Sequence, residues 1–487
     1  MASEPDWSRL HPASVLVNLV PRMWSLLRSA WPLLLAMLYG GRTREGLFDV
    51  AIGALFLGVA LGAAAIHAFT LRYRVADGKL EIRSGLLNRQ ARVIACDRVQ
   101  NVEQVQNVFQ RVFGLVEVRI ETASGREVEG LLSAVSSADA VALTAALEAG
   151  RSTAAGFALP LGEPHPAASD VPLVRSGPIE LVWYGASDLR IGAVAMGLVV
   201  VGELVPGVSA RIGQASEAFG SLVGVAVALA LVSGGWLAGI AAAVVRFWGF
   251  ELRSTPRALI AEQGLLTRRR AELRRDKVQL VTWREPVLLR PFGFGSLAIE
   301  TAAAREGGSG TERSEAVVPY VERDGVGDLV RAVLPVDDVD PASVSLHPAA
   351  PGAGPYAMIG AAIRTAIPAV LLAGVLWPNG ALAFGLVPAA IALARLDVAR
   401  QGWRVTDRWV VARRGVLTRS TAMIARAKLQ SVVLIQGPIL RRFGLGRLSL
   451  RVAGSRVDLP VLRWADARAL QDQLTRELRL SAERSNR

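Results

Sequence analysis

A chain of 487 residues is too long for one hydrophobic core, so several domains are expected. Hydrophobic residues make up 52% of it and mean hydropathy is +0.35, a composition that argues against a dispersed soluble protein and for a membrane. The formal charge of +13 rests on 52 Arg and three Lys, and the single Cys96 excludes an intramolecular disulfide and suits a reducing, cytosolic face.

The N-terminus opens acidic and polar (Ser3, Glu4, Asp6), without the basic region, apolar core and small-residue cleavage site of a signal peptide. Apolar segments then come in pairs. The downstream member of each pair, Val50–Phe69, Phe219–Val245 and Ala381–Ala394, reads as a spanning helix. The upstream members, Trp31–Tyr39, Ile191–Val205 and Ala366–Trp377, are short for a hydrocarbon core about 30 Å thick. Arg28, Arg190 and Arg364 at their leading edges would complete the reach by snorkelling. Arg28-Ser-Ala-Trp-Pro32 and Arg364-Thr-Ala-Ile-Pro368 share a pattern that makes two of these members equivalent. Six spans in three hairpins are expected. The loops inside the hairpins hold only Arg42, Arg44 and Arg211 as basic residues, so both termini and the segments between hairpins face the cytoplasm. His11-Pro12, His165-Pro166 and His347-Pro348 each stand upstream of one hairpin. They read as a lead-in turn fixed by proline rather than a metal or pH-sensing site, since no Cys or paired carboxylate accompanies them.

Seven residues recur three times at identical, gap-free spacing. They are Gly85, Arg89, Gln100, Val102, Arg111, Phe113 and Gly114; Gly264, Arg268, Gln279, Val281, Arg290, Phe292 and Gly293; and Gly415, Arg419, Gln430, Val432, Arg441, Phe443 and Gly444. Three-way identity arises by chance at roughly one position in a hundred, so seven within about thirty residues mean an internal repeat. Within it, Tyr73, Val75, Leu80 and Ile82 alternate around Asp77-Gly78, two strands joined by a tight turn. Trp403, Val405, Trp409 and Val411 repeat the frame around Asp407, and Pro256 takes the turn position in the second copy. Val116–Thr122, Leu297–Thr301 and Leu448–Val452 give a later strand. Before it, Pro286 and Pro438 open, and Gly293 and Gly444 close, a helical turn whose shared Phe plugs the core. Each copy ends in a helix, clearest over Ala465–Leu480.

The frame of two spans, an aromatic, a turn and then Gly85-Leu86-Leu87, Gly264-Leu265-Leu266 or Gly415-Val416-Leu417 continues into two further motifs. These are Asp97-Arg98-Val99-Gln100, with counterparts Asp276-Lys277-Val278-Gln279 and Ala427-Lys428-Leu429-Gln430, and Gln110-Arg111-Val112-Phe113-Gly114-Leu115. Together they resemble the bacterial pleckstrin-homology-like (PH-like) family of YdbS/YdbT-type membrane proteins, over nearly the whole chain. The resemblance implies a sandwich or barrel of seven or so strands with one capping helix. The expected fold is therefore an α+β membrane protein in three copies, each a helical transmembrane hairpin followed by a small antiparallel PH-like domain with a C-terminal capping helix. The expected boundaries are an N-terminal segment and hairpin over 1–70, PH-like domain 71–150, linker 151–188, hairpin 189–247, PH-like domain 248–336, linker 337–357, hairpin 358–395 and PH-like domain 396–482. The family motifs do not name a ligand, and Ala427 shows that the aligned Asp does no obligatory chemistry in every copy.

No catalytic constellation, phosphate loop or Cys-His metal set emerges, so neither catalysis nor a cofactor or metal is expected. Three aligned basic positions remain as binding candidates: Arg89, Arg268 and Arg419; Arg98, Lys277 and Lys428; Arg111, Arg290 and Arg441. They read equally as a site for anionic lipid or an acidic partner, or as cations that cover apolar surface or pair with a carboxylate such as Asp97. The run Thr267–Lys277, with six basic residues, is the strongest patch, though a solvated strand face has the same look. The expected function is a multi-pass cell-membrane scaffold displaying three cytoplasmic PH-like domains to partner proteins or anionic lipids, the triplicate raising effective concentration. A transporter or channel subunit is the alternative, disfavoured because the clearer spans lack interior charge and only Glu203 and Arg364 lie near a boundary. Nucleic acid is not expected, since aromatic stacking platforms are missing.

Overall fold

The computed structural model describes residues 7–9, 70–84, 90–122, 130–154, 172–187, 221–256, 258–301, 315–334, 340–375, 379–453 and 455–485. They fall into two units. Unit one is Met1–Ala168 with Ile260–Glu262 and Leu266–Leu273, and unit two is the remainder.

In the first repeat, β1 (Ser8–Arg9), β2 (Arg72–Ala76), β3 (Lys79–Ser84) and β4 (Gln90–Ala95) form one antiparallel sheet in that order. A second sheet holds β5 (Val99–Gln106), β6 (Leu115–Thr122) and β7 (Gly130–Ser136). Between β5 and β6 lies the short helix α1 (Val108–Val112), and α2 (Ser137–Ala154) follows β7. Leu80, Ile82 and Ile94 of the first sheet, Val118, Ile120 and Leu132 of the second, and Leu143 and Leu147 of α2 share one buried cluster. Alternation along each strand sends one set of side chains inward, and the helix closes the open end of the sandwich. The expected β2–β3 turn is present: Asp77 and Gly78 have φ of 51° and 69°, both positive as a two-residue hairpin of this kind requires. A β-branched side chain is strained there, so Gly78→Val is expected to cost about 1–2 kcal/mol, read as a lower midpoint of thermal unfolding.

The second repeat supplies β8 (Val174–Arg175), helix α3 (Pro178–Ser187), the long apolar helix α4 (Ser221–Phe247), β9 (Glu251–Ser254), β10 (Ala258–Gln263) and β11 (Arg268–Arg274). It continues with β12 (Val278–Pro286), β13 (Phe294–Thr301), β14 (Glu315–Glu322) and helix α5 (Val326–Val333). The third holds β15 (His347–Pro348), helices α6 (Ala353–Val375) and α7 (Leu386–Arg400), β16 (Gly402–Val405), β17 (Trp409–Arg414), β18 (Thr418–Ala425) and β19 (Ser431–Ile435). Helix α8 (Pro438–Arg442), β20 (Leu445–Val452), β21 (Ser455–Asp458), β22 (Leu462–Arg463) and helix α9 (Trp464–Ser485) complete it.

Strands of different repeats join. In unit one β5 pairs antiparallel with β11, so a strand of the second repeat extends a sheet of the first. Within unit two the strand order β14-β13-β12-β18-β17-β16-β15 is one continuous sheet, in which β12 of the second repeat pairs with β18 of the third.

Several expectations change on contact with the structure. Among the described residues two helices are long and apolar enough to cross a membrane, Ala353–Gly374 and Gly380–Arg400, both from the third hairpin. The first hairpin and Ile191–Val205, with Arg28 and Arg190, lie outside the described residues. The upstream member of the third hairpin begins at Ala353 rather than Ala366, because the Ala- and Gly-rich stretch ahead of it continues the helix. Arg364 therefore sits near the middle of α6, not at its leading edge, with its guanidinium over Gly360. Of the His-Pro pairs, His11-Pro12 and His165-Pro166 lie outside the described residues. His347 stands opposite Trp403 in β16, and the matching places in the other copies are Ser8 opposite Tyr73 and Val174 opposite Leu252. Pro286 ends β12 instead of opening the helical turn. Nor does the shared Phe plug the core: Phe113 is 46% and Phe292 64% exposed, and only Phe443 packs against a buried cluster. Gln110, Leu289 and Leu440, one turn earlier, take the buried place. Gln110 also caps α1, donating from its backbone N to Asn107 Oδ1 and accepting from Asn107 N, both at 2.8 Å.

Candidate functional site

The aligned basic residues separate into different environments. Arg89 lies outside the described residues. Arg268 opens β11 and Arg419 is the second residue of β18, opposite Gln106 and Glu285 respectively. Arg98, Lys277 and Lys428 each end a single 3-10 turn. Lys277 Nζ is 3.8 Å from Asp276, and Lys428 Nζ donates to the Asp276 carbonyl at 2.7 Å, so these two converge on one acidic residue. Arg98, Arg111 and Arg441 are exposed. The basic run of the second repeat is engaged with partners. Arg269 Nε lies 3.1 Å from Glu103, Arg270 3.4 Å from Glu262, and Arg274 grips Asp276 with two bonds of 2.9 and 2.8 Å.

Arg290 and Arg419 do come together, at the β12–β18 joint. Its centre is Glu285, 2% exposed on β12. Arg323 donates to Glu285 Oε1 through Nε at 3.1 Å and also through Nη2. Arg419 Nη1 lies 3.5 Å from Oε2. Arg290 Nη2 donates to the carbonyls of Glu285 and Val416 at 3.2 and 3.0 Å. Arg413, on the neighbouring strand, donates from Nη2 to the Pro341 carbonyl at 3.0 Å and from Nε to Thr421 Oγ1 at 3.1 Å.

Two guanidiniums thus contact one buried carboxylate, and those of Arg290 and Arg413 stand close enough to feel the same charges. Burial, and next the Arg419 charge, pull the pKa of both Arg290 and Arg413 below the usual arginine range. The buried Nε atoms of Arg290 and Arg419 have no hydrogen-bond acceptor among the described residues. Such a set has spare donors and unneutralised charge, the chemistry of a phosphate or carboxylate receptor. Arg323 and Arg413 escape sequence reading because neither stands at a position identical in all three copies. Glu285 escapes because its counterparts, Gln106 and Gln436, are uncharged.

The cluster lies at the end of a helix long and apolar enough to cross a membrane. Asp397, in the last turn of α7, accepts from Gly415 N at 2.9 Å, and Val287 N donates to Leu417 O at 2.6 Å. Val287, Leu288, Phe292 and Leu417 are exposed around it. In the first repeat α1 has the same character, with Val108, Phe109, Val112 and Phe113 exposed beside Arg111.

Antiparallel sandwiches closed by a C-terminal helix, alternating with apolar helices, define a membrane protein built of PH-like domains. The bacterial PH domain family matches this chain over residues 32–151, 188–335 and 359–478, and the chain belongs to that family. The chain is similar to UPF0699 transmembrane protein YdbT of Bacillus subtilis (strain 168), with 24% identity over 357 residues that cover 69% of this chain and 70% of that protein. No solved structure matches it.

Proposed function

We propose that this protein is an integral-membrane scaffold whose PH-like domains face the cytoplasm and bind anionic lipid head groups, without catalysis. The observation that carries this reading is the arginine cluster of Arg290, Arg323, Arg413 and Arg419 around Glu285, with apolar side chains at its rim and a spanning helix tied to its base. Apolar side chains that enter the acyl boundary beside cations that meet phosphate are the pattern of interfacial binding.

The test uses the full chain in nanodiscs of phosphatidylcholine with and without phosphatidylglycerol, and native mass spectrometry to count retained lipid. Wild type should retain phosphatidylglycerol selectively. Arg290→Gln with Arg413→Gln should weaken that binding roughly thirtyfold, at ~1 kcal/mol per cation. Equal retention by wild type and variant would sink the reading.

One observation favours the transporter alternative: Arg364 lies exposed near the middle of a crossing helix, where a charge is costly and usually serves a pathway. Substrate-dependent flux in proteoliposomes that Arg364→Leu abolishes would promote it above the scaffold.

A further inference from the structure

The edge-to-edge joint between repeats occurs twice, in one register. β5 meets β11 with Gln106 opposite Arg268 and Val102 opposite Glu272. β12 meets β18 with Glu285 opposite Arg419 and Val281 opposite Met423. In the repeat alignment Gln106 is the counterpart of Glu285, Arg268 of Arg419, and Val102 of Val281, so the two joints superpose residue for residue. The third-repeat counterpart of β5 and β12 is β19, and the first-repeat counterpart of β11 and β18 is β4. Among the described residues β19 begins its sheet and β4 ends its own. Among the described residues there is therefore one edge of each kind that takes no part in these two joints.

The β19 edge is not blunted, and the β4 edge carries one exposed charge, Arg92, much as its used counterparts β11 and β18 carry arginines. Ser431-Val-Val-Leu-Ile435 has no charge and no proline, the devices that keep natural edge strands from pairing, and it is rich in β-branched residues. Val433 on β19 is 38% exposed and Val93 on β4 60% exposed. Next to β19, Gln436 donates to the Leu445 carbonyl at 3.0 Å, as Gln106 does to the aligned Leu115 carbonyl at 2.9 Å in the first joint. The edge is set up as the used one is.

We propose that β19 of one copy pairs antiparallel with β4 of a second copy of this chain in the register of the internal joints, with Val433 opposite Arg92, Val432 opposite Val93 and Leu434 opposite Ala91. The contact joins two different surfaces, so it is heterologous and propagates head to tail into a ring or a filament. Main-chain hydrogen bonds supply the affinity, as in strand addition generally, and the alternation of side chains supplies the register.

The test uses two differently tagged full-length copies co-expressed in a Cys96→Ala background, one carrying Arg92→Cys and the other Val433→Cys. Mild oxidation of membranes should give a disulfide-linked species containing both tags. Val93→Cys with Val433→Cys, one residue out of register and on opposite faces, should give only background. Thr282→Cys with Ala422→Cys in a single chain places the same pair in the internal joint and should close. If the internal pair closes and the intermolecular pair does not, the proposal is overturned. A cross-link that forms only within one chain, or only to another protein, overturns it equally. Val433→Lys should reduce the detergent-solubilised particle to a single chain in mass photometry, and an unchanged assembly would count against the β19–β4 contact.

Discussion

Glu285→Ala is expected to lower the stability of the β12–β18 joint by about 3 kcal/mol, because breaking a buried ion pair from one side strands its partners. The figure stands at the low end of that range since Arg323 and Arg419 keep about a third of their side-chain surface in solvent, at 37% and 27%. Thermal unfolding of the purified protein in mild detergent reads the loss. Glu285→Gln should cost less, since a carboxamide oxygen still accepts from Arg323 and glutamine is the residue both aligned positions carry. The two readouts should then move in opposite directions. Removing the carboxylate destabilises the fold, yet it also removes the group that competes with a lipid phosphate, so phosphatidylglycerol retention should rise in Glu285→Gln. If stability and retention fell together, the cluster would be a structural ion-pair network and nothing more.

Trp283→Ala is expected to cost about 3–5 kcal/mol, the range for deleting a buried large aromatic. Trp283 is fully buried on β12, opposite Leu297 of β13 and Thr421 of β18. Its indole lies over Gly295, where an added Cβ would come within 2.7 Å of Trp283 Cη2 and closer still to the Arg284 carbonyl. Gly295→Ala in the wild-type background should therefore destabilise by roughly 1–3 kcal/mol through overpacking. In a Trp283→Leu background the indole part of that penalty should be relieved while the approach to the Arg284 carbonyl remains. A double-mutant cycle on the unfolding midpoint measures this coupling. Additive effects would mean that the Arg284 carbonyl, not the indole, sets the limit at Gly295.

The sequence was most informative where backbone geometry leaves few choices. Asp77-Gly78 announces a hairpin because few residues accept two successive positive φ angles. The shared glycines turn out to need the same freedom, with φ of 112° and 100° at Gly264 and Gly415 and of 64°, 76° and 63° at Gly114, Gly293 and Gly444. Periodicity likewise located the strand that begins at Leu115, Phe294 and Leu445. Burial at the end of a short helix was less legible. Leu289 and Phe292 are both apolar, and only the rotation of the turn decides which faces in. The pairing of β5 with β11 was invisible because a repeat alignment says which residues correspond, not which edges meet. For the same reason Arg290 and Arg419 read in the sequence as isolated cations, while Glu285, which both of them touch, does not stand out. The apolar pattern understates helix α6 because alanine and glycine lower the hydropathy of its first turns without ending the helix.

The β5–β11 pairing bears on how the protein is made. About 160 residues separate Gln106 from Arg268, and ribosomes add about 5–20 residues per second. For roughly ten to thirty seconds after β5 emerges, its partner does not yet exist, and helix α4 must be laid down in the meantime. A shorter interval, about 130 residues, recurs between β12 and β18. A nascent chain of this protein thus presents open sheet edges twice during synthesis, each one a template for mispairing with a neighbouring polysome product. Slow translation or crowded expression would be felt first as aggregation of incomplete chains, before any loss of stability in the finished protein.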